Sequence, residues 1–233
     1  MLVLLPGVHG TKDLFEPLTK ELKELDYPSM TIELPENIEQ SVDSLAQHVT
    51  RKLPQQPHII VAESFSGCLI PNILGGHKNN TFGVIFVVSC ISCPNKITNT
   101  LASFIPAWVF ENKTLLTFGL RCLFLNGYRG SKEFVNYAIG VVHRTPAAII
   151  KQRINILNNL KPPIQKFNVP VVYIQATKDR AVGASAMRDI EKTFPTKVIK
   201  IEGPHFLLQV KPREAAMAIK EGLDFIQGYS SQH

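Results

Sequence analysis

Three side chains far apart in the chain have the types and the order that nucleophilic catalysis by a serine requires. Ser64 lies in the segment AESFSG, residues 62–67, directly after the apolar run HIIV. This segment matches the pattern G-x-S-x-G, with Ala62 at the first small position, Ser66 at the second, and Gly67 following it. Small residues allow a sharp turn from a strand into a helix, and that turn exposes the serine hydroxyl. Ser64 is therefore the candidate nucleophile.

A serine hydroxyl is a weak nucleophile unless a base removes its proton and a carboxylate orients that base. Asp179 follows the apolar run VVYIQATK, and His205 follows VIKIEGP, so both come after runs that resemble strands. The order serine, acid, histidine is the one expected when the nucleophile lies on this kind of turn. Two rival acids are less suitable, since Asp189 falls inside a helical pattern and Glu63 is better suited to a structural role.

A glycine-rich turn follows the first apolar run, in the segment LPGVHGT of residues 5–11. Backbone N–H groups in such a turn can stabilise the negative charge that develops on a carbonyl oxygen during acyl transfer. We predict that Val8 supplies one such N–H group, with His9 as the alternative. Phe65, the residue after the candidate nucleophile, is predicted to supply the other.

Six short apolar runs, rich in valine and isoleucine, are predicted to be the strands that position these residues. They cover residues 2–5, 30–34, 58–62, 82–89, 169–176 and 198–202. Runs that are apolar at nearly every position are typical of parallel strands buried on both faces of a sheet. Helical patterns separate the runs, one of them opened by Ser41 as a helix N-cap. The expected fold class is α/β, with three layers and a mostly parallel sheet of about six strands.

The alternation of strands and helices is interrupted once, between the fourth and fifth runs. Residues 114–125, 131–142 and 146–160 have helical patterns there, with no strand candidate among them. We therefore expect a helical cap at residues 93–167, inserted into a core formed by residues 1–92 and 168–233. The aromatic residues expected to line an apolar acyl pocket under this cap are Phe104, Trp108, Phe118, Phe124 and Phe134.

Taken together, these segments resemble the α/β-hydrolase superfamily over essentially the whole chain. LLPGVHGT, AESFSG, QATKD and GPHFLLQ are similar to its oxyanion loop, nucleophile turn, acid loop and histidine loop. Ala62 departs from the usual glycine, and the chain begins at the strand that corresponds to the family's third. The resemblance implies a serine hydrolase with Ser64, Asp179 and His205 as catalytic triad, which cleaves a carboxylic ester through an acyl-enzyme without a metal or other cofactor. The architecture is similar to that of capped esterases acting on pimeloyl-acyl carrier protein methyl ester.

Positive charge is concentrated in the predicted cap. Residues 108–170 contain nine of the 25 lysines and arginines but two of the 19 acidic residues, so this segment has a net charge of +7 and the remainder −1. A basic segment on a neutral body favours an acidic partner, such as an acyl carrier protein that presents the ester. A solvated surface is the alternative. The candidate residues for binding the partner or the substrate are Trp108, Arg121, Arg129, Arg144 and Arg153.

Thioesterase activity and hydrolysis of small carboxylic esters are open alternatives, because one hydrolase frame supports several acyl-transfer reactions. A protein of this fold that binds a ligand without catalysis is the alternative of another class. No nucleic-acid partner is expected, since the sequence contains none of the known recognition modules. The apolar runs are too short to cross a bilayer, and no signal-peptide pattern opens the chain, so we expect a cytoplasmic protein.

Overall fold

A parallel sheet of six strands forms the centre of the computed structural model, which describes residues 1–76, 80–94, 107–126 and 132–230. The strands are β1 (Leu2–Leu5), β2 (Ser29–Thr31), β3 (His58–Glu63), β4 (Thr81–Val87), β5 (Val171–Ala176) and β6 (Thr196–Ile201). Their order across the sheet is β2-β1-β3-β4-β5-β6, and every neighbouring pair is parallel. The predicted α/β fold class and the six predicted strands are confirmed.

Helices pack on both faces of the sheet and occupy the interval between β4 and β5. They are α1 (Glu16–Glu24), α2 (Val42–Lys52), α3 (Ile70–Gly75), α4 (Ala107–Glu111), α5 (Lys113–Gly119), α6 (Lys132–Arg144), α7 (Ala147–Asn159), α8 (Ala184–Thr193), α9 (Leu207–Val210) and α10 (Pro212–Ser230). Shorter turns are the 3₁₀ helices Asp13–Phe15 and Ser64–Leu69 and the π-helical turn Leu120–Phe124. Among the helices described, none combines the length and the apolar character that a membrane span would need.

The four central strands β1, β3, β4 and β5 are apolar at nearly every position because each face of the sheet is covered there, whereas the edge strands β2 and β6 are half-buried. Val3 of β1 belongs to the apolar cluster formed with α2, α3 and α8, whereas Leu4 belongs to the cluster formed with α1 and α10. Successive side chains of a strand point to opposite faces, so both faces need apolar residues here. The predicted N-cap of α2 is confirmed as well, since Ser41 Oγ accepts a 3.2 Å hydrogen bond from the Ser44 N–H.

The clearest difference between predicted and observed strands is at β2, which ends at Thr31 instead of residue 34. The Ile32 N–H still donates to the Leu4 carbonyl at 3.1 Å, but the Leu34 N–H donates to the Gly10 carbonyl at 2.8 Å. The second hydrogen bond ties this segment to the glycine-rich turn instead of to β1. The chain therefore leaves the sheet beside the predicted oxyanion loop.

The helices between β4 and β5 build an apolar cluster that they share with the rest of the molecule. Leu116, Val135 and Ile150 come from α5, α6 and α7. Leu14, before α1, and Phe206, before α9, complete the same cluster. The first of the three predicted helices is divided into α5 and the π-helical turn, and the other two correspond to α6 and α7. The division of the chain into core and cap at residues 93 and 167 stays a prediction.

Candidate active site

Ser64 is the first residue of a 3₁₀ helix that begins where β3 ends. Its backbone φ is +49°, in the left-handed region that residues other than glycine rarely adopt. The Ser89 hydroxyl holds this conformation by donating a 2.6 Å hydrogen bond to the Ser64 carbonyl. A Cβ atom at Gly67 would overlap the Ser89 side chain and lie 2.8 Å from the Cys90 carbonyl oxygen. The sharp turn predicted from AESFSG is present, and Gly67, not Ser66, is the position where glycine is required.

The structure brings together the three side chains that the sequence singled out. Ser64 Oγ lies 3.0 Å from His205 Nε2, and His205 Nδ1 lies 2.8 Å from Asp179 Oδ2. Asp179 follows β5, and its other oxygen, Oδ1, accepts the N–H groups of Ala181 at 2.7 Å and Val182 at 3.1 Å. The histidine and aspartate side chains are each 5% exposed. The three groups form a hydrogen-bonded chain that is shielded from bulk water.

Two opposing effects govern the protonation of His205. Burial lowers its pKa, but the charge of Asp179, the hydrogen bond to Asp179 and the charge of Glu63 together outweigh burial, so the pKa is raised above the usual 6.5. When the ring is neutral and Asp179 holds the proton on Nδ1, the lone pair of Nε2 faces the Ser64 hydroxyl. Neutral His205 can accept the serine proton readily. As the pH falls through the pKa of His205, the ring becomes protonated and no longer acts as a base.

Both predicted oxyanion donors border the same cavity as Ser64. Within the residues described, the Val8 N–H donates to no protein acceptor. Phe65 is the second residue of the 3₁₀ helix, where N–H groups have no partner inside the helix. Both groups are therefore available to a ligand oxygen. His9, the alternative donor, does not border the cavity.

The cavity has a volume of about 130 Å³ and is mostly apolar. Apolar walls come from Phe65, Leu123, Phe124, Ile154, Leu157 and Val182, and Arg180 adds a positive charge at the exposed rim. Ile154 and Leu157 were not predicted to line the cavity, although their spacing of three residues on a helix indicates a shared face. Within the described residues, no group of three or more His, Cys, Asp or Glu side chains could hold a metal ion.

No family model matches the sequence, and no curated protein matches it. Solved structures, by contrast, are similar over nearly the full length. A lipase-esterase related protein from Clostridium acetobutylicum ATCC 824 is 17% identical with a TM-score of 0.71, over 94% of this chain and 93% of that one. The enol-lactonase from Burkholderia xenovorans LB400 is 13% identical with a TM-score of 0.74, over 96% and 90%. MenH from S. aureus is 13% identical with a TM-score of 0.77, over 97% and 94%. The chain has the α/β-hydrolase fold.

In this α/β-hydrolase fold, the arginines predicted to meet a partner have very different surroundings. Arg121 is exposed, whereas Arg144 is exposed but forms an ion pair with Asp13. Arg129 lies outside the described residues. Arg153 is 0% exposed and bonded to interior groups. The prediction that Arg153 contacts a partner is therefore wrong, because a fully buried guanidinium cannot reach the surface of another protein.

Of the aromatic residues predicted to line the pocket, Phe124 does so. Its ring meets the ring of His205 edge-on, with 5.1 Å between the ring centroids. Phe134 instead packs against Phe206, with 6.1 Å between centroids. Phe134 therefore supports the apolar cluster beside the cavity and does not line it.

Trp108 lies on the outside of the α/β-hydrolase fold. It is 58% exposed and does not border the cavity, so the prediction that it lines the acyl pocket is wrong. Phe118 is exposed in the same way. The short helices α4 and α5 turn these rings towards solvent, which sequence spacing alone does not reveal. Phe104 lies outside the described residues, and a role for Trp108 in meeting a partner stays a prediction.

Glu63, next to the candidate nucleophile, is buried behind the serine. Its Oε1 accepts a 2.8 Å hydrogen bond from Gln209 Nε2, while its Oε2 and the Gln209 side-chain oxygen are buried with no hydrogen-bond partner among the described residues. Burial raises the pKa of Glu63, against smaller opposing effects of Gln209, His205 and the Gly7 N–H. A protonated carboxyl group would provide the donor that the Gln209 oxygen lacks. The structural role predicted for Glu63 agrees with these contacts.

We expect Glu63→Gln to gain stability relative to the wild-type protein as the pH rises. A carboxyl group whose pKa is raised by folding stabilises the protein below its unfolded pKa, and this contribution is lost as the pH rises towards the folded pKa. Thermal midpoints measured from pH ~4 upwards test this. The thermal midpoint of Glu63→Gln minus that of the wild-type protein should increase with pH. Glu191→Gln, at an exposed position, should show no such trend. A constant difference would contradict a raised pKa at Glu63.

Proposed function

We propose that this chain hydrolyses carboxylic esters through an acyl-enzyme, with Ser64 as nucleophile, His205 as general base and Asp179 as the group that orients His205. The observation that carries the proposal is the hydrogen-bonded chain from Ser64 Oγ through His205 to Asp179, at the wall of an apolar cavity. Proteins of similar structure are named lipase-esterase related protein, enol-lactonase and thioesterase, which supports hydrolysis of an acyl bond.

In the first half of the reaction, Ser64 Oγ attacks the ester carbonyl carbon while His205 Nε2 takes the hydroxyl proton. Asp179 stabilises the imidazolium that results. The tetrahedral intermediate then breaks its bond to the alcohol oxygen, which takes the proton from Nε2 and leaves. Water attacks the acyl-enzyme with the same proton transfers, which releases the carboxylic acid and regenerates the Ser64 hydroxyl.

Negative charge develops on the carbonyl oxygen in both halves of the reaction. The N–H groups of Val8 and Phe65 are the donors we assign to it, because both border the cavity next to Ser64. Donors that are aligned before the reaction need no reorganisation when the charge forms, and the loss of one such donor lowers kcat by about 10²- to 10³-fold.

We expect the volume of the cavity to set the preferred size of the acyl group. The cavity volume of about 130 Å³ is slightly below the roughly 150 Å³ of an apolar cavity that holds benzene. An acyl group of up to about six carbon atoms therefore fits. The apolar walls favour a hydrocarbon chain over a polar one, because a buried polar group without a partner loses its hydrogen bonds to water.

Hydrolysis of p-nitrophenyl esters of increasing acyl length tests the reaction and the size limit together. We expect turnover with the highest kcat/KM at or below about six carbons, and covalent labelling of Ser64 by a fluorophosphonate, located by mass spectrometry. Oxygen esters and thioesters of one acyl group decide between esterase and thioesterase activity. Labelling without turnover of any ester would indicate a ligand-binding protein, and the absence of both would contradict the proposal.

A second candidate is that the ester arrives on an acyl carrier protein, as in pimeloyl-acyl carrier protein methyl ester. The concentration of positive charge in residues 108–170 favours this. Arg153 is buried and Arg144 is paired with Asp13. Among the described residues of this segment, the exposed cations without a described ion pair are Arg121 and the lysines Lys113, Lys132, Lys161 and Lys166.

We expect a carrier-linked ester to be hydrolysed with a higher kcat/KM than the free ester in dilute buffer, with an advantage that fades as salt is added. Surface charges act over a screening length of about 10 Å at 0.1 M salt, so they mainly accelerate encounter at low salt. Arg121→Glu should reduce the rate with the carrier-linked ester much more than with the free ester. Arg188→Glu, exposed but outside the basic segment, is the matched control. Equal salt dependence for both substrates would contradict the carrier proposal.

A further inference from the structure

Arg153, in the middle of α7, is a fully buried cation whose partners are neutral. Its Nη1 donates to the Val8 carbonyl at 3.0 Å, and its Nη2 donates to the carbonyls of Leu34 at 3.2 Å and Pro35 at 3.0 Å. Its Nε donates to Gln40 Oε1 at 2.9 Å. Within the described residues no carboxylate lies at ion-pair distance from it. A buried charge without a paired opposite charge is costly to folding, so packing alone does not explain why an arginine lies here.

Arg153 remains charged at neutral pH despite its burial. Desolvation lowers the pKa of its guanidinium to about 10, against the smaller opposing effect of Glu36. That value is still well above the pH of ordinary assays. All the hydrogen bonds described for Arg153 therefore come from a cation, and charged donors make stronger hydrogen bonds than neutral ones.

A second side chain of the inserted helices reaches the same loop. Thr145, between α6 and α7, is buried, and its hydroxyl donates a 2.7 Å hydrogen bond to the His9 carbonyl. The carbonyls of Val8 and His9, which are consecutive in the glycine-rich turn, thus both accept hydrogen bonds from the segment between β4 and β5. Gly10 follows with φ +79°, and a Cβ atom there would overlap Arg153 Nη1.

These two hydrogen bonds act on the backbone that presents the Val8 N–H. Each peptide unit is planar, so holding a carbonyl fixes the orientation of its whole peptide plane. The Val8 N–H lies in the same plane as the Gly7 carbonyl, which accepts a 3.0 Å hydrogen bond from the Gly10 N–H, and the Gly10 N–H lies in the plane of the His9 carbonyl. With the His9 carbonyl held by Thr145 and the plane after Val8 held by Arg153, the turn has little freedom to rotate the Val8 N–H. A misplacement of about 1 Å is enough to lower a rate by about 10²-fold.

We propose that Arg153 and Thr145 are positioning residues that hold the oxyanion loop, so that the helices inserted between β4 and β5 form part of the structure that stabilises the transition state. This proposal rests on the proposed function, because it assigns the Val8 N–H to the oxyanion. A role confined to folding would lower stability in variants of these residues without changing kcat of the folded protein.

Four variants distinguish a positioning role of Arg153 and Thr145 from a role confined to folding. Arg153→Lys keeps the charge but loses the branched donor set, and Thr145→Val removes one hydroxyl at nearly constant shape. Thr145→Ser retains the hydroxyl and should behave like the wild-type protein. Arg188→Lys makes the same change at an exposed arginine outside the loop. We expect Arg153→Lys and Thr145→Val to lower kcat by about 10- to 100-fold with little change in KM, because the interaction is made mainly in the transition state.

Inhibitor binding gives a readout that stability does not affect. An alkyl boronic acid, which forms a tetrahedral adduct with the serine, should bind about 10- to 100-fold more weakly to Arg153→Lys and Thr145→Val, in parallel with kcat. The corresponding alcohol, which forms no adduct, should bind all variants equally. Equal boronate affinity and unchanged kcat in both variants would overturn the proposal, whatever the change in thermal midpoint.

Amide hydrogen exchange tests, separately from the reaction, whether Arg153 and Thr145 hold the oxyanion loop. The backbone of residues 7–10 should exchange faster in Arg153→Lys and Thr145→Val than in the wild-type protein and the two controls. Unchanged exchange in both variants would overturn the positioning role of Arg153 and Thr145, even if the wild-type protein hydrolyses esters. Wild-type turnover and labelling of Ser64 report on the proposed function alone, so the two ideas fail by different measurements.

Discussion

Ser64→Ala is expected to lower kcat for ester hydrolysis by about 10⁴- to 10⁶-fold and to leave the protein folded. The Ser64 hydroxyl is hydrogen-bonded to His205 Nε2, whereas the Ser89 hydroxyl holds the turn through the Ser64 carbonyl, which alanine retains. Alanine can also occupy the small space at the end of β3. The activity that remains would come from substrate binding and the oxyanion donors.

Steady-state kinetics and a thermal melt of the same preparation test this expectation. Ser185→Ala is the matched control, since this serine lies at the start of α8, outside the hydrogen-bonded chain of Ser64, and is exposed. A Ser64→Ala protein that keeps more than about a tenth of the wild-type kcat would disprove the nucleophile assignment, since loss of a triad nucleophile has far larger effects. Loss of the fluorophosphonate label in the same variant would locate the reaction at this residue.

Asp179→Asn is expected to lower kcat by about 10⁴-fold with a small change in thermal midpoint. Asp179 Oδ1 accepts two backbone N–H groups, so the asparagine oxygen will take that side and its NH₂ group will face His205. An NH₂ donor opposite Nδ1 favours the imidazole tautomer with its proton on Nε2. That nitrogen then has no lone pair to accept the Ser64 proton.

The pH dependence of the residual activity provides a second test of Asp179. Asp179 raises the pKa of His205 against the effect of burial, so removing its charge should lower that pKa. The acid limb of the kcat/KM profile should therefore shift to lower pH in Asp179→Asn. Asp189→Asn is the control, because Asp189 lies in α8 and accepts a 2.6 Å hydrogen bond from Ser92 instead of from His205. Near-normal rates in Asp179→Asn would reopen the assignment of the acid.

The candidate site was predictable from sequence because of the way parallel strands are arranged. Ser64, Asp179 and His205 each follow a strand, and the carboxyl ends of parallel strands meet at one edge of a sheet. The strands β3 and β5 were recognisable since both of their faces are covered, which makes them apolar at nearly every position. The edge strand β6 is half-buried and contains two lysines, and its three aliphatic residues were the signal. The end of β2 was not predictable in this way, because it depends on the hydrogen bond from the Leu34 N–H to the Gly10 carbonyl, which leaves no mark in the apolar pattern of the sequence.

The position of Arg153 shows which structural features cannot be predicted from sequence patterns. Helical spacing puts Arg153 in the same stripe as Ile150 and Leu157, so its burial was predictable from α7 alone. Its partners were not, because they are mainly backbone carbonyls, which every residue possesses. Counting charges along the chain therefore assigned to the surface a cation that lies in the interior.

Because α7 carries both Arg153 and two walls of the cavity, Ile154 and Leu157, substrate range and rate should be hard to vary independently. A mutation that enlarges the acyl pocket by shifting this helix also moves the guanidinium that the loop depends on. Directed evolution for longer acyl groups would then meet strong epistasis along α7. Leu123 and Val182 border the same cavity from other segments, so libraries that begin at these two positions should change selectivity with less loss of turnover.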